Sequence, residues 1–455
     1  MLFAAIALGA AMNSAATQLV VSGKTLGVQY AVVQSGAVVA SGAAGRADLV
    51  TNAAVGESTQ FRIGSVTKLF TAVAVMQLVD RHVLSLDDTL ERFEPSFPSA
   101  ARITVRDLLM HRSGIDNYLD AAIANGAVRQ PTTPKAIIAA VASKPLLSPP
   151  GTTFAYSNTN YVILGQIVER LSGLTLHDYY RTKIFAPAEM FHTSSGSPLS
   201  GALVAEGYAP VPGGGFQPDD AGDVSWYYAC GDTWSTANDL ARLDVALMNG
   251  RLLKPATLRS MIDAAEPSTL GPRVAYGLGV MTSPSGSDDR FVGHHGGLPG
   301  FEADNEMLIA DRFAVVSLGN SFTYPTSTLK IVAFEALYPN RARALRAEAV
   351  ADAQSTPEDP ALTQRFTKFF TSLLSGTVDS TGLSDAMSAA LAPSVVQQVD
   401  VLLQKLGSFG TLRYVSQDIV QGYRRYHYTA VFSGGSQAVT FVLNADDKIG
   451  GFFLQ

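Results

Sequence analysis

A single cysteine, Cys230, in 455 residues excludes any internal disulfide, so cysteine pairing reports no redox compartment. No base is readable beside that thiol, and free cysteines are usually small buried hydrophobes, so Cys230 reads as structural. Long apolar runs are also missing. Leu2 to Met12 is apolar but too short to span a bilayer, and it lacks the Lys/Arg start of a signal peptide. A net charge of -6 with no basic cluster argues against nucleic acid and anionic membranes as partners. No G-x-S-x-G occurs, which leaves the nucleophile elbow of an α/β-hydrolase unsupported. His294 and His295 are adjacent, but no cysteine or third histidine lies near them in sequence, and neighbours on a strand point to opposite faces. Neither a metal nor a cofactor is expected.

What the chain does have is Ser65-Val66-Thr67-Lys68, preceded by strand-like Phe61-Arg62-Ile63-Gly64 and followed by the apolar stretch Leu69 to Met76. This reads as a hydroxyl at the start of a buried helix with an amine one turn along. Positions three apart share a helix face, so Lys68 Nζ can reach Ser65 Oγ. The helix N-terminus favours negative charge forming there. A serine needs an adjacent base to become a nucleophile, and a lysine stripped of hydration can serve. Ser327-Thr328-Leu329-Lys330 has the same spacing, but it follows Tyr324-Pro325 in a polar stretch that reads as a loop and lacks the apolar helix.

Pro149-Pro150-Gly151 turns the chain into Tyr156-Ser157-Asn158, ahead of a helical pattern of Tyr161, Ile163, Leu164, Ile167, Val168 and Leu171. A phenol beside a lysine can relay a proton, and Asn158 offers a donor and an acceptor for orienting Lys68 and a substrate carbonyl. Tyr338-Pro339-Asn340 repeats the Y-x-N pattern at the end of an apolar helix and reads as structural. Gly293-His294-His295-Gly296-Gly297-Leu298-Pro299-Gly300 is dense enough in glycine for close backbone approach, with a strand-edge N–H facing an oxyanion and His294 near that edge.

These segments resemble the serine β-lactamase/penicillin-binding-protein superfamily, and within it the class C β-lactamase-related branch of D-alanyl-peptide hydrolases, D-aminopeptidases and β-lactamase-like esterases. The segments FRIGSVTKLFTAVAVMQL, DLLMHRSGI, PPGTTFAYSNTNYVILGQIVERLSG, GDTWSTANDLARLDVALMNG and GHHGGLPGF occur in the family's order. The resemblance implies Ser65 as acylated nucleophile, Lys68 as its base, Tyr156 and Asn158 as the second motif, and His294 and Gly296 on the third. It also implies an oxyanion hole from the N–H groups of Ser65 and Gly297. A β-lactamase usually carries Lys-Thr-Gly at the third motif, where the lysine helps hold the substrate carboxylate. Histidine there points toward ester or D-peptide hydrolysis instead, with a small-molecule ester or peptide as partner. Export to the periplasm or exterior is common in the family. The alternative is a non-catalytic sensor or scaffold acting through its C-terminal part.

The implied fold class is α+β: an antiparallel sheet built from both ends of the domain, flanked by helices with a helical subdomain, over residues 1–340. Val28 to Val33 and Ala37 to Ala40 read as a hairpin around Gln34-Ser35-Gly36, and Tyr276 to Met281 and Phe313 to Leu318 read as later strands. The resemblance uses residues up to about Ser22 as the first helix. Residues 341–360 read as a linker, and 361–455 as a small α+β domain that resembles NTF2-like or cystatin-like modules. Its helix carries Leu362, Phe366, Phe369, Phe370 and Leu373, and its strands run from Tyr426 to Phe432, Val439 to Leu443 and Ile449 to Leu454. Tyr423, Tyr426, His427 and Tyr428 read as core or solvated sheet face. Trp226, Tyr227 and Tyr228 read equally as an acyl pocket or as packing.

Overall fold

The computed structural model describes residues 2–211, 215–270, 274–282, 290–321, 324–343 and 358–454, the last apart from short gaps between 385 and 405 and at 421–422 and 445–446. Residues 212–214 and most of the expected linker lie outside the described residues. Contacts divide the chain into one unit of Met1–Pro267 with Ala275–Pro339 and another of Ser268–Val274 with Asn340–Gln455.

In the first unit β1 (Gly27–Gln34) and β2 (Ala37–Gly45) form the expected hairpin. Gln34 pairs with Ala37, so Ser35 and Gly36 alone make the turn, and both have positive φ, 53° and 79°. That geometry matches the twist of the strands it joins. The sheet continues with β3 (Glu266–Pro267), β4 (Ala275–Tyr276), β5 (Met281–Thr282), β6 (Val292–Leu298), β7 (Phe301–Leu308) and β8 (Phe313–Gly319). Its order is β2-β1-β8-β7-β6-β5-β4-β3, every pairing antiparallel. The single strand expected from Tyr276 to Met281 is instead two short ones. Gly279 sits at φ 80° with Ala72 Cβ 2.2 Å from where its own Cβ would stand, so the chain turns there.

Helices cover both sheet faces: α1 (Leu2–Val21), α2 (Thr67–Asp80), α3 (Asn158–Ser172), α4 (Ala237–Met248) and α5 (Ser327–Leu337). On β7 the neighbours Asn305 and Glu306 reach Asp244 of α4 and Lys330 of α5, so those two helices lie on opposite faces. α1 packs on β2 and α5, burying Leu8, Met12, Ala16 and Leu19. Among the described residues no helix is long and apolar enough to cross a membrane. α2 is apolar all round and correspondingly buried, with only Gln77, Val79 and Asp80 partly exposed. Phe61, Phe70, Leu69 and Ile163 belong to the core around it.

The second unit has α6 (Pro360–Leu374) and an antiparallel sheet of β9 (Phe409–Val420), β10 (Tyr423–Phe432), β11 (Gly435–Leu443) and β12 (Ile449–Leu454) in sequential order. Asp359 caps α6 through Ala361 and Leu362, and Pro360 occupies the first turn, where its missing N–H costs nothing. The helical stripe Phe366, Phe369, Phe370 and Leu373 is buried against the sheet, with Phe366 stacked on Phe441 at 4.5 Å. Tyr426 and Tyr428 enter this core, while His427 bonds Thr440 on the partly exposed face. The side chain of Tyr423 lies outside the described residues. β9 carried no sequence expectation.

Candidate active site

Ser65 lies in a single tight turn, Gly64–Val66, that leads into α2. Gly64 adopts φ 49°, a backbone conformation that side-chain-bearing residues rarely take, which aims the turn at β6. Lys68, fully buried in the first turn of α2, lies 2.9 Å from Ser65 Oγ. Its Nζ also donates to Asn158 Oδ1 at 2.7 Å and to the Cys230 carbonyl at 3.0 Å. Those two oxygens can only accept. They therefore claim two of the amine's hydrogens and leave its remaining direction facing Ser65.

Tyr156 precedes α3 in an extended stretch, and its ring lies 4.9 Å from Lys68 Nζ. His111, unremarked in the sequence reading although it stands within the DLLMHRSGI segment, grips this stretch three ways. Its carbonyl accepts from Ala155 N–H at 2.8 Å, its Nδ1 accepts from Ser157 N–H at 3.1 Å, and its ring lies 4.2 Å from that of Tyr156. Burial, with Lys68 and His294 nearby, holds the His111 imidazole well below its ordinary range and so neutral.

β6 runs past the Ser65 turn. A Cβ on Gly296 would stand 2.1 Å from the Ile63 carbonyl and 3.0 Å from Ser65 N, so only glycine permits this approach. β5 pairs only with Val292 and Gly293, leaving the rest of that β6 edge uncovered by it. His295 N–H points to this side, at Met281 Sδ, and strand alternation directs Gly297 N–H the same way, toward Gly64. The N–H groups of Ser65 and Gly297 thus belong to backbone segments in direct contact.

His294 stands on β6 near Lys68, with its ring packed into the protein. It is 1% exposed and both ring nitrogens are engaged. Nδ1 donates to the His295 carbonyl at 2.5 Å, which leaves Nε2 to accept from Tyr276 Oη at 2.9 Å. Burial pushes its pKa down to about 3, so the ring is neutral. His295 faces the other way and pairs with Glu302 at 2.8 Å. Tyr227 and Tyr228 are buried and hydrogen-bonded to Ala221 and Gln166, and Trp226 Nε1 donates to Gln130 O at 2.6 Å, so these rings pack the fold. Cys230 contributes its carbonyl, not its thiol. Ser327 opens α5 rather than lying in a loop, but Lys330 bonds Glu306 at 2.6 Å, and that second S-x-x-K builds no site.

Known proteins are similar to this chain in sequence and in fold. PbpX of Bacillus subtilis (strain 168), named for penicillin binding, is 27% identical over 296 residues, 64% of this chain and 69% of its own. A D-aminopeptidase of Brucella anthropi is 29% identical over 304 residues, 64% of this chain but only 55% of that protein's length. The solved structure of D-amino acid amidase from Ochrobactrum anthropi SV3 superimposes with a TM-score of 0.65 at 26% identity, covering 73% of this chain and 99% of the amidase. Residues 12–353 match the Beta-lactamase family model, and the chain belongs to that family of serine hydrolases.

Proposed function

We propose that the protein hydrolyses a small amide or ester through an acyl-enzyme on Ser65, with D-amino-acid amides and short D-peptides as its substrate class. Ser65 Oγ attacks the carbonyl while its proton passes to Lys68. The N–H groups of Ser65 and Gly297 receive the oxyanion, an interaction worth about 3 to 4 kcal/mol per donor in acyl-transfer enzymes. Lys68 and Tyr156 return the proton to the departing amine or alcohol. Water then attacks the ester on Ser65, giving its proton back through the same pair and releasing the acid.

The observation that carries this reading is the bonding of Lys68, whose two fixed acceptors leave it directed at Ser65. The D-specific amidase and D-aminopeptidase relatives support the substrate class. His294 narrows it. At the position where a lysine would hold a substrate carboxylate stands a buried, neutral ring with both nitrogens occupied. β-Lactams and carboxypeptidase substrates carry such a carboxylate; amides, esters and aminopeptidase substrates do not require one there. Export to the periplasm or exterior is part of the same proposal, and cell fractionation tests it.

The functional test is intact-protein mass after exposure to a fluorophosphonate, followed by a substrate panel. One adduct on wild type and none on Ser65→Ala is expected. Phenylalanine amide in both configurations, a short acyl ester and a chromogenic cephalosporin form the panel. Faster turnover of the D-amide than of its mirror image, with negligible cephalosporin hydrolysis, is expected. Retained turnover by Ser65→Ala would overturn the nucleophile, and dominant cephalosporin hydrolysis would overturn the substrate class.

A further inference from the structure

Asn117 occupies the N-cap position of the helix Tyr118–Ala124, where asparagine ordinarily accepts a hydrogen bond from its own first turn. Here its side chain makes no such cap. Asn117 Oδ1 instead accepts from Asn158 N–H at 3.0 Å and from Asn158 Nδ2 at 3.2 Å. Forgoing a cap leaves that stabilisation of the helix unused. The surrounding segment is laced to the same place. The Asp116 carbonyl accepts from Ser157 Oγ at 3.0 Å and Thr159 Oγ1 at 2.6 Å, and Tyr118 N–H donates to Thr159 Oγ1 at 3.3 Å.

The direction of each bond follows from the one before it. A backbone N–H can only donate, so Asn158 N–H fixes which atom of the Asn117 amide faces it: the oxygen. That oxygen then accepts the Asn158 amide nitrogen, which turns Asn158 Oδ1 toward Lys68. A flipped Asn158 would set carbonyl against carbonyl at one end and NH₂ against an amine at the other. We infer that Asn117 is a positioning residue of the reaction: it locks the Asn158 amide in the one orientation that accepts from Lys68, and thereby aims Lys68 at Ser65. This rests on the reading of Ser65 and Lys68 as nucleophile and base.

Two substitutions test it, with fluorophosphonate acylation rate and kcat/KM measured across pH. Asn117→Ser removes the acceptor that reaches Asn158 but supplies a good N-cap, so the helix keeps or gains stability. Its acylation rate and kcat are expected to fall about 10- to 100-fold with KM and Tm nearly unchanged, less than outright loss of a positioned general base. Asn117→Asp keeps an oxygen for both bonds and adds a negative charge one amide away from Lys68. Its maximal rate should stay within about threefold of wild type. A carboxylate there favours the protonated amine, so the rising limb of kcat/KM should move up by about 1 to 2 pH units.

The other groups facing Lys68 leave that shift readable. The rings of Tyr156 and Tyr161 lie 4.9 and 5.5 Å away, His111 and His294 are neutral, burial pushes the Cys230 thiol up, and the nearby Asp116 carboxylate is paired with Lys144 at 2.7 Å. Wild-type rates in Asn117→Ser overturn the inference. So does an equal loss in both variants without movement of the pH profile, because that marks a merely structural residue. Should Asn117→Ser fail to fold, the profile of Asn117→Asp decides alone. Failure of the parent reading looks different: wild type itself takes no adduct, or Ser65→Ala takes one.

Discussion

Lys68 is a buried amine whose neighbours are carbonyl oxygens, a hydroxyl and two tyrosine rings. Such surroundings hold the nitrogen in place, and among the described residues none of these neighbours is a carboxylate. Lys68→Ala removes the proposed proton acceptor and leaves Asn158 Oδ1 without that donor. Acylation should slow by roughly 100- to 10,000-fold at neutral pH, as expected for loss of a positioned general base. Stopped-flow acylation by a fluorophosphonate measures it, and a wild-type rate would remove Lys68 from the mechanism. His111 acts on Tyr156 as Asn158 acts on Lys68, through contacts that fix one orientation. A carbonyl, a ring nitrogen and a ring face hold three consecutive residues, so Tyr156 is held by the backbone on either side of it as well as by its ring.

At the scale of elements, the site is a junction of the α2 turn with the edge of β6, and glycine makes the junction close. The would-be Cβ of Gly296 overlaps the Ile63 carbonyl at 2.1 Å, and backbone cannot yield as a flexible side chain can. Gly296→Ala should therefore push β6 off the Ser65 turn and separate the N–H of Gly297 from that of Ser65. Overpacking of this kind costs about 1 to 3 kcal/mol. A loss of at least 100-fold in kcat is expected together with a lowered Tm, since losing one oxyanion donor alone has about that effect. Steady-state kinetics beside a thermal melt checks both. α4 is clamped to β7 by a different device. Asn305 Nδ2 donates to Asp244 Oδ1 at 3.0 Å, both residues are fully buried, and burial raises the Asp244 carboxyl well above its usual range. Among the described residues Asp244 Oδ2 and Asn305 Oδ1 show no partner, and a proton on Asp244 would give this pair of acceptors a donor. An acid with a raised folded-state pKa stabilises at low pH and loses that contribution as pH rises. Asp244→Asn makes the same pair of bonds without a proton to lose. Its Tm advantage over wild type should grow from pH 5 to pH 8, and a difference constant with pH would refute the protonated pair.

Over the whole molecule, two buried neutral imidazoles set the acid limit. His111 and His294 both have folded-state pKa values below the ordinary 6.5, His294 at about 3. A histidine with a lowered pKa contributes stability above 6.5 that is lost as pH falls toward the folded value. Each can cost about 1.4 kcal/mol per pH unit in that window, so together the slope approaches roughly 3 kcal/mol per unit. Denaturant titrations between pH 7 and pH 4 should show stability falling steeply, with catalysis lost in the same range as the site opens. A flat profile there would mean that these rings are charged in the native state.

The sequence by itself determined the local chemistry. Ser65 and Lys68 sit one helical turn apart, so their meeting follows from helix geometry alone, and the Pro-Pro-Gly turn ahead of Tyr156 and Asn158 is equally local. The hairpin around Ser35 and Gly36 and the buried stripe of α6 were legible for the same reason, since period and turn chemistry act over a few residues. Tertiary structure decided what depends on residues far apart in the chain. It brought the Cys230 carbonyl to Lys68 across 162 positions and folded His111 onto the Tyr156 stretch. It also turned Asn117 from a helix cap to Asn158, and buried His294 against Tyr276 so that its charge is lost. β9 and the break between β4 and β5 were hidden as well, because strand length is set by the neighbours a strand finds and the clashes it must avoid. Spacing along a chain specifies which groups can meet within a turn; the direction of each hydrogen bond and the charge of each buried ring depend on everything that packs around them.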